Sequence, residues 1–273
     1  MNWKQQFGFF MRSFFLQTGW NYLKFQSLGL LFVMNPFLTK LYRHDPDALP
    51  SVVGRYLATF NTQPILASFC FGALAKQEQF IAQAKTLTEY NEEITEWNSI
   101  KRGLTTTTAS IGDRLFWGTL KPLTLLLALF IWLLLGLHLF DVHPLDKPPF
   151  LYVFAACAAS FLAFNIVALF VKWQGIRIGY NSDAAACFGL TKFDWNRTIY
   201  NAKIIGLVLS ILMLGLGLYF YLKDFRALDI HFITRAILVV FFVCLSFVTR
   251  RLRIPNLYLY LAAVAVFNLV CFL

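Results

Sequence analysis

Residues 123–140 read LTLLLALFIWLLLGLHLF, with no Asp, Glu, Lys or Arg among them. A helix needs about 20 predominantly apolar residues to cross the hydrocarbon core of a bilayer. This stretch meets that requirement, and it decides the fold class. Four more apolar runs follow, at 150–171, 204–222, 236–249 and 256–273. The run at 236–249 is short, which predicts a tilted or partly buried segment. Strands are not expected, because an open sheet leaves backbone groups unpaired in lipid. Residues 122–273 therefore read as a bundle of about five transmembrane helices.

Composition agrees. Of the 273 residues 58% are hydrophobic and 14% charged, against about 25% charged in soluble domains. This excludes a disordered chain, a collagen-like chain and a small disulfide scaffold. It also argues against a soluble enzyme, whose outer faces are polar. The net charge is +10, but the basic residues stand between apolar runs. That distribution fits cytoplasmic loops and anionic head groups rather than nucleic acid. The five cysteines form no CxxC pair and read as small buried hydrophobes. The first residues, MNWKQQFGFFMRSFF, lack a clean apolar core and a small-residue cleavage site, so no signal peptide is expected.

Basic residues also predict an orientation. Lys172, Arg177, Lys192, Arg197 and Lys203 cluster in 172–203, and Arg250, Arg251 and Arg253 in 250–255. The stretch 141–149 carries Lys147 against Asp141 and Asp146. The positive-inside rule then places 1–121 and 172–203 in the cytoplasm and the C-terminus outside. Lys223, Arg226 and Arg235 run mildly against this assignment.

Residues 1–121 are different. Their apolar stretches, 7–16, 28–38 and 64–75, are short and interrupted by Pro36 and Pro64. Such segments form re-entrant hairpins or broken helices lining a cavity, or else helices lying on the bilayer; hairpins are the expectation. Residues 77–102 read as one amphipathic cytosolic helix, with Leu87, Tyr90, Ile94 and Trp97 on one side and Glu89, Glu92, Glu93 and Glu96 on the other. The acidic side is either a solvated face or a dock for a basic partner. The expected fold is thus an all-α integral membrane protein: a re-entrant or broken-helix region over 1–121, then a helical bundle over 122–273.

Conventional catalytic and metal-binding motifs are absent from the sequence. Three polar clusters remain. Arg12, Gln17, Trp20 and Asn21 form the first. Asn61, Thr62, Gln63 and Pro64 form the second, FNTQP. Asn and Gln amides both donate and accept, which suits neutral polyols such as sugars; a capped turn before an apolar helix explains Asn61 or Thr62 equally. The third is IGDRLFWGT, with Asp113, Arg114 and Trp117. An acid beside a membrane span costs about 2.5–3.5 kcal/mol unless partnered, and Arg114 and Lys121 are the adjacent partners. Trp117 reads as a sugar-stacking ring or an interface anchor.

In this order, Arg12-Ser13, Gln17, Trp20-Asn21, FNTQP at 60–64 and GDRLFWGT at 112–119 resemble the IID membrane component of the mannose/fructose/sorbose branch of the bacterial phosphoenolpyruvate-dependent sugar phosphotransferase system. LYRHDP, RYLATFNTQPILASFCFGALAKQE and IKRGL extend the resemblance over most of 7–122; GIRIGYNSD and RRLRIPN continue it more loosely. Departures are the Thr105–Ser110 run, TTTTAS, where the family has Gly and Pro, Arg114 for its common Pro or Ser, and Asp183 for a usual Gly.

The resemblance implies a permease subunit of the bacterial cytoplasmic (inner) membrane. It would fold with a IIC subunit, which supplies most sugar contacts. A hexose-type sugar would be phosphorylated by a cytosolic IIB protein, supplied as IIAB or as separate IIA and IIB. The chain would act inside a phosphotransferase complex without a phosphorylated residue, catalytic residue, cofactor or metal of its own. Asn61, Thr62 and Gln63 would contact the path, Asp113 and Arg114 brace it, and Trp117 wall or anchor it. The Thr run and Arg114 leave a second reading, a diverged assembly or sensory subunit that moves no sugar.

Overall fold

A computed structural model describes residues 1–138 and 150–223. The protein is an all-α membrane protein. Its helices are α1 (Trp3–Arg12), α2 (Ser27–Leu41), α3 (Leu49–Tyr56), α4 (Ala67–Gln83), α5 (Leu87–Gly112), α6 (Lys121–His138), α7 (Phe150–Asn181) and α8 (Trp195–Lys223). A π-helical segment, Asp113–Leu120, joins α5 to α6 without a break. The chain divides into two compact units, residues 1–213 and 214–273. The first carries α1 to α7 and most of α8; of the second, the end of α8 lies within the described residues.

Local chemistry sets the boundaries in the first half. Asn2 and Gln5 exchange side-chain and backbone hydrogen bonds, a capping box that starts α1. Thr86 and Glu89 do the same for α5. That second box divides the single helix expected over 77–102. α4 stops at Gln83, Ala84 turns extended, and α5 begins at Leu87. Inside α2, Pro36 has no N–H for the carbonyl of Phe32. Arg12 supplies a substitute: its Nη1 lies 3.5 Å from that carbonyl oxygen, and its guanidinium stands 5.1 Å from the Phe32 ring centre.

α4 is the centre of the first unit. Every residue from Ala67 to Ala75 is buried. It packs chiefly on α7 and α5, and the α7 contact is made by small residues. A Cβ at Gly72 would lie 2.2 Å from the Ile176 carbonyl oxygen, and one at Gly179 would lie 2.3 Å from that of Phe69. Gly175 and Gly179 stand four residues apart on α7, as Ser68 and Gly72 do on α4, so the two backbones touch along one stripe. The GIRIG stretch is therefore a helix-packing surface.

Three helical stretches among the described residues are long and apolar enough to cross a membrane: Leu87–Leu135, Phe150–Asn181 and Cys187–Gly217. Their most apolar windows are only 11–17% buried within the chain. Phe154, Phe161, Ile166, Phe170, Ile205 and Ile211 stay on the outside. Such faces are stable against lipid or another membrane protein, not water. The expected spans at 123–140, 150–171 and 204–222 fall in α6, α7 and α8, the last two residues of the first span lying outside the described residues. The expected spans at 236–249 and 256–273, and the stretches 141–149 and 250–255 used for orientation, also lie outside them.

The basic stretch 172–203, expected as one loop between spans, is mostly helical, with only 182–194 lying between two helices. α7 continues to Asn181 and α8 starts at Trp195. Lys172 is tolerated within α7 because its Nζ points to the Ser13 carbonyl oxygen at 3.4 Å and sits 4.4 Å from the Phe14 ring centre.

Candidate functional site

The FNTQP segment leaves α3 and is received by the loop before α2. Asn21 shapes that loop: its Oδ1 accepts from the backbone N–H groups of Leu23 and Lys24, and Phe25 adopts a left-handed conformation, φ 55°. The Gln26 N–H donates to the Phe60 carbonyl at 2.8 Å. The Gln26 side chain then pairs with the backbone of Thr62 in both directions. Nε2 donates to the Thr62 carbonyl at 2.9 Å, and Oε1 accepts from the Thr62 N–H at 3.0 Å. Both residues are buried, so the amide replaces the water their polar groups would lose.

From there the segment is fastened to α5. The Thr62 and Thr108 hydroxyls are 2.7 Å apart, and the Thr108 hydroxyl also reaches the Leu104 carbonyl at 2.6 Å. The whole Thr105–Thr108 run is helical. Each hydroxyl bonds the carbonyl four residues earlier, which leaves a polar run compatible with a helix. Gln63 orders the turn that leads into α4: its Oε1 accepts from the N–H groups of Ile65 at 2.7 Å and Leu66 at 3.0 Å. The side-chain bond expected from Asn61 or Thr62 in this turn is thus made by Gln63. Its other end, Nε2, is buried without a hydrogen-bond partner among the described residues. The side chain lies on Gly112, where a Cβ would stand 2.4 Å from Gln63 Cβ.

The π-helical segment begins at the next residue. Two contacts follow the five-residue step: the Thr119 hydroxyl donates to the Arg114 carbonyl at 2.8 Å, and the Lys121 N–H to that of Phe116. Segments of this kind recur at functional sites. Leu115, Phe116 and Thr119 face inward, and Phe116 meets Phe164 of α7 edge-on at 6.4 Å. Asp113, Arg114 and Trp117 face outward. Among the described residues Asp113 and Arg114 form no ion pair with each other. Trp117 carries Lys121 4.8 Å from its ring centre.

Of the six candidate residues, Thr62 and Gln63 meet in the interior, while Asn61, Asp113, Arg114 and Trp117 are exposed on this chain. From the first cluster, Asn21 shapes the receiving loop and Arg12 covers α2. Gln17 is exposed, and Trp20 packs edge-on with Tyr22 at 4.9 Å.

A second polar centre, beneath the first, was not anticipated. Glu78 of α4 is fully buried. It accepts from the Tyr42 hydroxyl at 2.8 Å and the Tyr56 hydroxyl at 3.1 Å, and it pairs with Arg55. Burial, and then the Glu78 carboxylate, push both tyrosine hydroxyls far above their ordinary range, so both remain donors. Lys101 Nζ donates to the carbonyls of Arg55 at 3.1 Å and Ala58 at 3.0 Å. Trp97 lies between the two cations, 5.7 Å from Arg55 and 5.2 Å from Lys101. This centre ties α3, α4 and α5 together at the root of the FNTQP segment. Its polar residues come from LYRHDP, RYLATFNTQP, AKQE and IKRGL, and Trp97 from the amphipathic stretch before the last, segments that spacing alone does not connect. Gln26, Thr108 and Cys70, which lies 3.6 Å from the Thr108 hydroxyl, were likewise not legible as a group.

Comparison with known proteins bears on this architecture. Residues 1–133 match the family model described as the PTS system mannose/fructose/sorbose family IID component. The mannose-specific EIID component of Escherichia coli is 33% identical over 180 residues, covering 64% of this chain and 54% of the relative. The fructose permease IID component of Bacillus subtilis is 32% identical over 205 residues, 75% of this chain and 66% of the relative. The sorbose-specific EIID component of Klebsiella pneumoniae is 27% identical, with 75% of this chain and 66% of the relative covered. The chain spans about half the length of the mannose-specific relatives it matches. Among solved structures, one described as a membrane protein superposes with TM-score 0.58 at 26% identity, over 78% of this chain and 70% of that one. A cryo-EM structure of the mannose transporter ManYZ in complex with a microcin shares the fold, with TM-score 0.53 at 22% identity over 99% of this chain and 97% of that one.

Proposed function

The chain belongs to the mannose/fructose/sorbose IID family of sugar phosphotransferase components, and on that premise we propose that it is the IID subunit of a permease for a hexose-type sugar. It forms the translocation unit with a IIC subunit, and a cytosolic IIB protein, served by IIA, phosphorylates the sugar. The chain resides in the bacterial cytoplasmic membrane with its N-terminus inside and its C-terminus outside.

One observation carries the reading. The Gln63 Nε2 group is a buried donor pair with no hydrogen-bond partner among the described residues, held by a side chain whose oxygen is already engaged. A sugar hydroxyl is an acceptor that such a group fits, and its desolvation would otherwise cost about 1–3 kcal/mol. Thr62 and Gln63 act as interior contacts and Asn61 as an exposed one. Asp113 and Arg114, on the outer face of the π-helical segment, brace the path against the IIC subunit rather than against each other. Trp117, backed by Lys121, walls or anchors the same face. A diverged assembly subunit is not favoured: the relatives are named as permease and EIID components, and Thr108 of the divergent run is integrated with Thr62.

The test is uptake of radiolabelled hexoses by cells expressing this chain with the IIC, IIA and IIB proteins encoded beside it. Accumulation of sugar phosphate that stops when this chain is omitted is the expected result. Absence of uptake of every hexose, with the membrane complex present at normal levels, would overturn the reading.

A further inference from the structure

Between α1 and α2 runs a groove of about 270 Å³, lined by Lys4, Gly8, Phe9, Arg12, Phe37 and Lys40 among others. Its floor is apolar: Phe9, Val33 and Phe37 are buried there. Among the described residues no acidic one lines it. Lys4 and Lys40 are exposed, and among the described residues neither forms an ion pair. The side-chain oxygens of Asn2 and Gln5, the neutral polar residues at the same end, are taken up by their mutual capping box, which leaves their amide N–H groups as further donors but no charge. Arg12, at the other end, is held against the Phe32 carbonyl and ring. The free charge of the groove is therefore at the Lys4–Lys40 end.

The outer flank of α1 indicates where the groove sits. Trp3, Phe7 and Met11 recur every four residues and are all exposed. A short helix with an exposed aromatic stripe and flanking Lys and Arg lies in the interface of a bilayer, at the boundary of head groups and acyl chains. A basic, acid-free groove opening at that depth matches the lipid itself: negative phosphate at one end, hydrocarbon along the floor.

We propose that the α1–α2 groove binds an anionic glycerophospholipid of the surrounding membrane, its phosphate held by Lys4 and Lys40 and an acyl chain laid over Phe9, Val33 and Phe37. Neither polar site described above contributes to it. Gly8 provides a steric handle, because it lines the groove and a Cβ there would meet nothing within 4 Å. A large side chain at position 8 occupies the acyl site without displacing α1.

The experiment uses the full chain, with whatever subunits purify alongside it, in a neutral detergent. Native mass spectrometry measures binding of dioleoyl-phosphatidylglycerol and dioleoyl-phosphatidylcholine. The unmodified protein should prefer phosphatidylglycerol. The double variant Lys4→Gln, Lys40→Gln should weaken it by about tenfold or more and leave phosphatidylcholine unchanged. Gly8→Phe should weaken both lipids. Equal binding of the two lipids by the unmodified protein, or phosphatidylglycerol binding unmoved in both variants, would overturn the proposal. So would competition by inorganic phosphate alone, which would make the groove a site for a free anion. Should the lysine variant fail to assemble, maleimide labelling of Gly8→Cys in a chain freed of its native cysteines decides. Protection that added phosphatidylglycerol confers supports the site; protection that persists after delipidation assigns the groove to another subunit.

Discussion

Gln63 lies directly on Gly112, so closely that a Cβ at position 112 would stand 2.4 Å from the Cβ of Gln63. This contact joins the turn before α4 to the last residue of α5, one position before the helix changes to five-residue steps. It makes Gly112 a spacing requirement: any side chain there pushes the FNTQP segment away from the π-helical segment.

Gly112→Ala is therefore expected to cost about 1–3 kcal/mol by overpacking. Transport should be lost more severely than stability, because the displaced group is the unpartnered amide. Hexose uptake and the detergent melting temperature of the same preparation check this. Uptake unchanged would separate Gly112 from the site.

Asp113→Asn keeps shape and hydrogen-bonding capacity and removes only charge; because the helix runs through Asp113 without a break, no capping role is at stake. Since Asp113 is exposed and unpaired with Arg114 in this chain, the variant should fold and assemble normally and lose most sugar uptake. Near-normal uptake at normal membrane levels would reduce Asp113 to a helix-boundary residue. Failure to assemble would locate its role in the subunit contact.

Glu78→Ala leaves Arg55 buried without its carboxylate and two tyrosine hydroxyls without an acceptor. Breaking a buried pair in this way costs about 3–5 kcal/mol. The variant should be strongly depleted from the membrane. Glu78→Gln, which retains hydrogen-bond acceptors for Tyr42 and Tyr56, should recover part of the level. Equal abundance of Glu78→Ala and the unmodified chain would show the centre to be dispensable for folding.

Thr108→Val removes the hydroxyl that meets Thr62 while nearly preserving volume. The expected cost is about 1 kcal/mol, with uptake reduced while Thr106→Val, an exposed position in the same run, is silent. Equal effects of the two would mean that the run acts through helix propensity alone.

In a version from which the native cysteines have been removed, a cysteine introduced at Ala185, in the segment between α7 and α8, should react with a membrane-impermeant maleimide only when the cytoplasmic side is opened. Labelling of intact cells from outside would reverse the orientation derived from basic residues.

The membrane class was legible from residues 123–140 and the runs after them, because a bilayer imposes one local requirement, length times apolarity, that any window of sequence displays. The resemblance to the IID family was equally legible, since FNTQP and, apart from Arg114, GDRLFWGT stand as contiguous motifs in the chain. The capping box at Thr86 and Glu89 was also there to be read, but the periodic pattern across 77–102 concealed it. Tertiary structure alone decided which polar residues face inward. Thr62 and Gln63 were singled out beside Asn61 as equals, yet Asn61 is exposed and the other two are buried. Gln26 meets Thr62 across 36 positions, Thr62 meets Thr108 across 46, and Tyr42 meets Glu78 across 36. Composition and periodicity report how much surface a segment must bury and on which face. They carry no information about which distant partner will satisfy a buried hydrogen bond, because that choice is made only when α4 settles between α5 and α7.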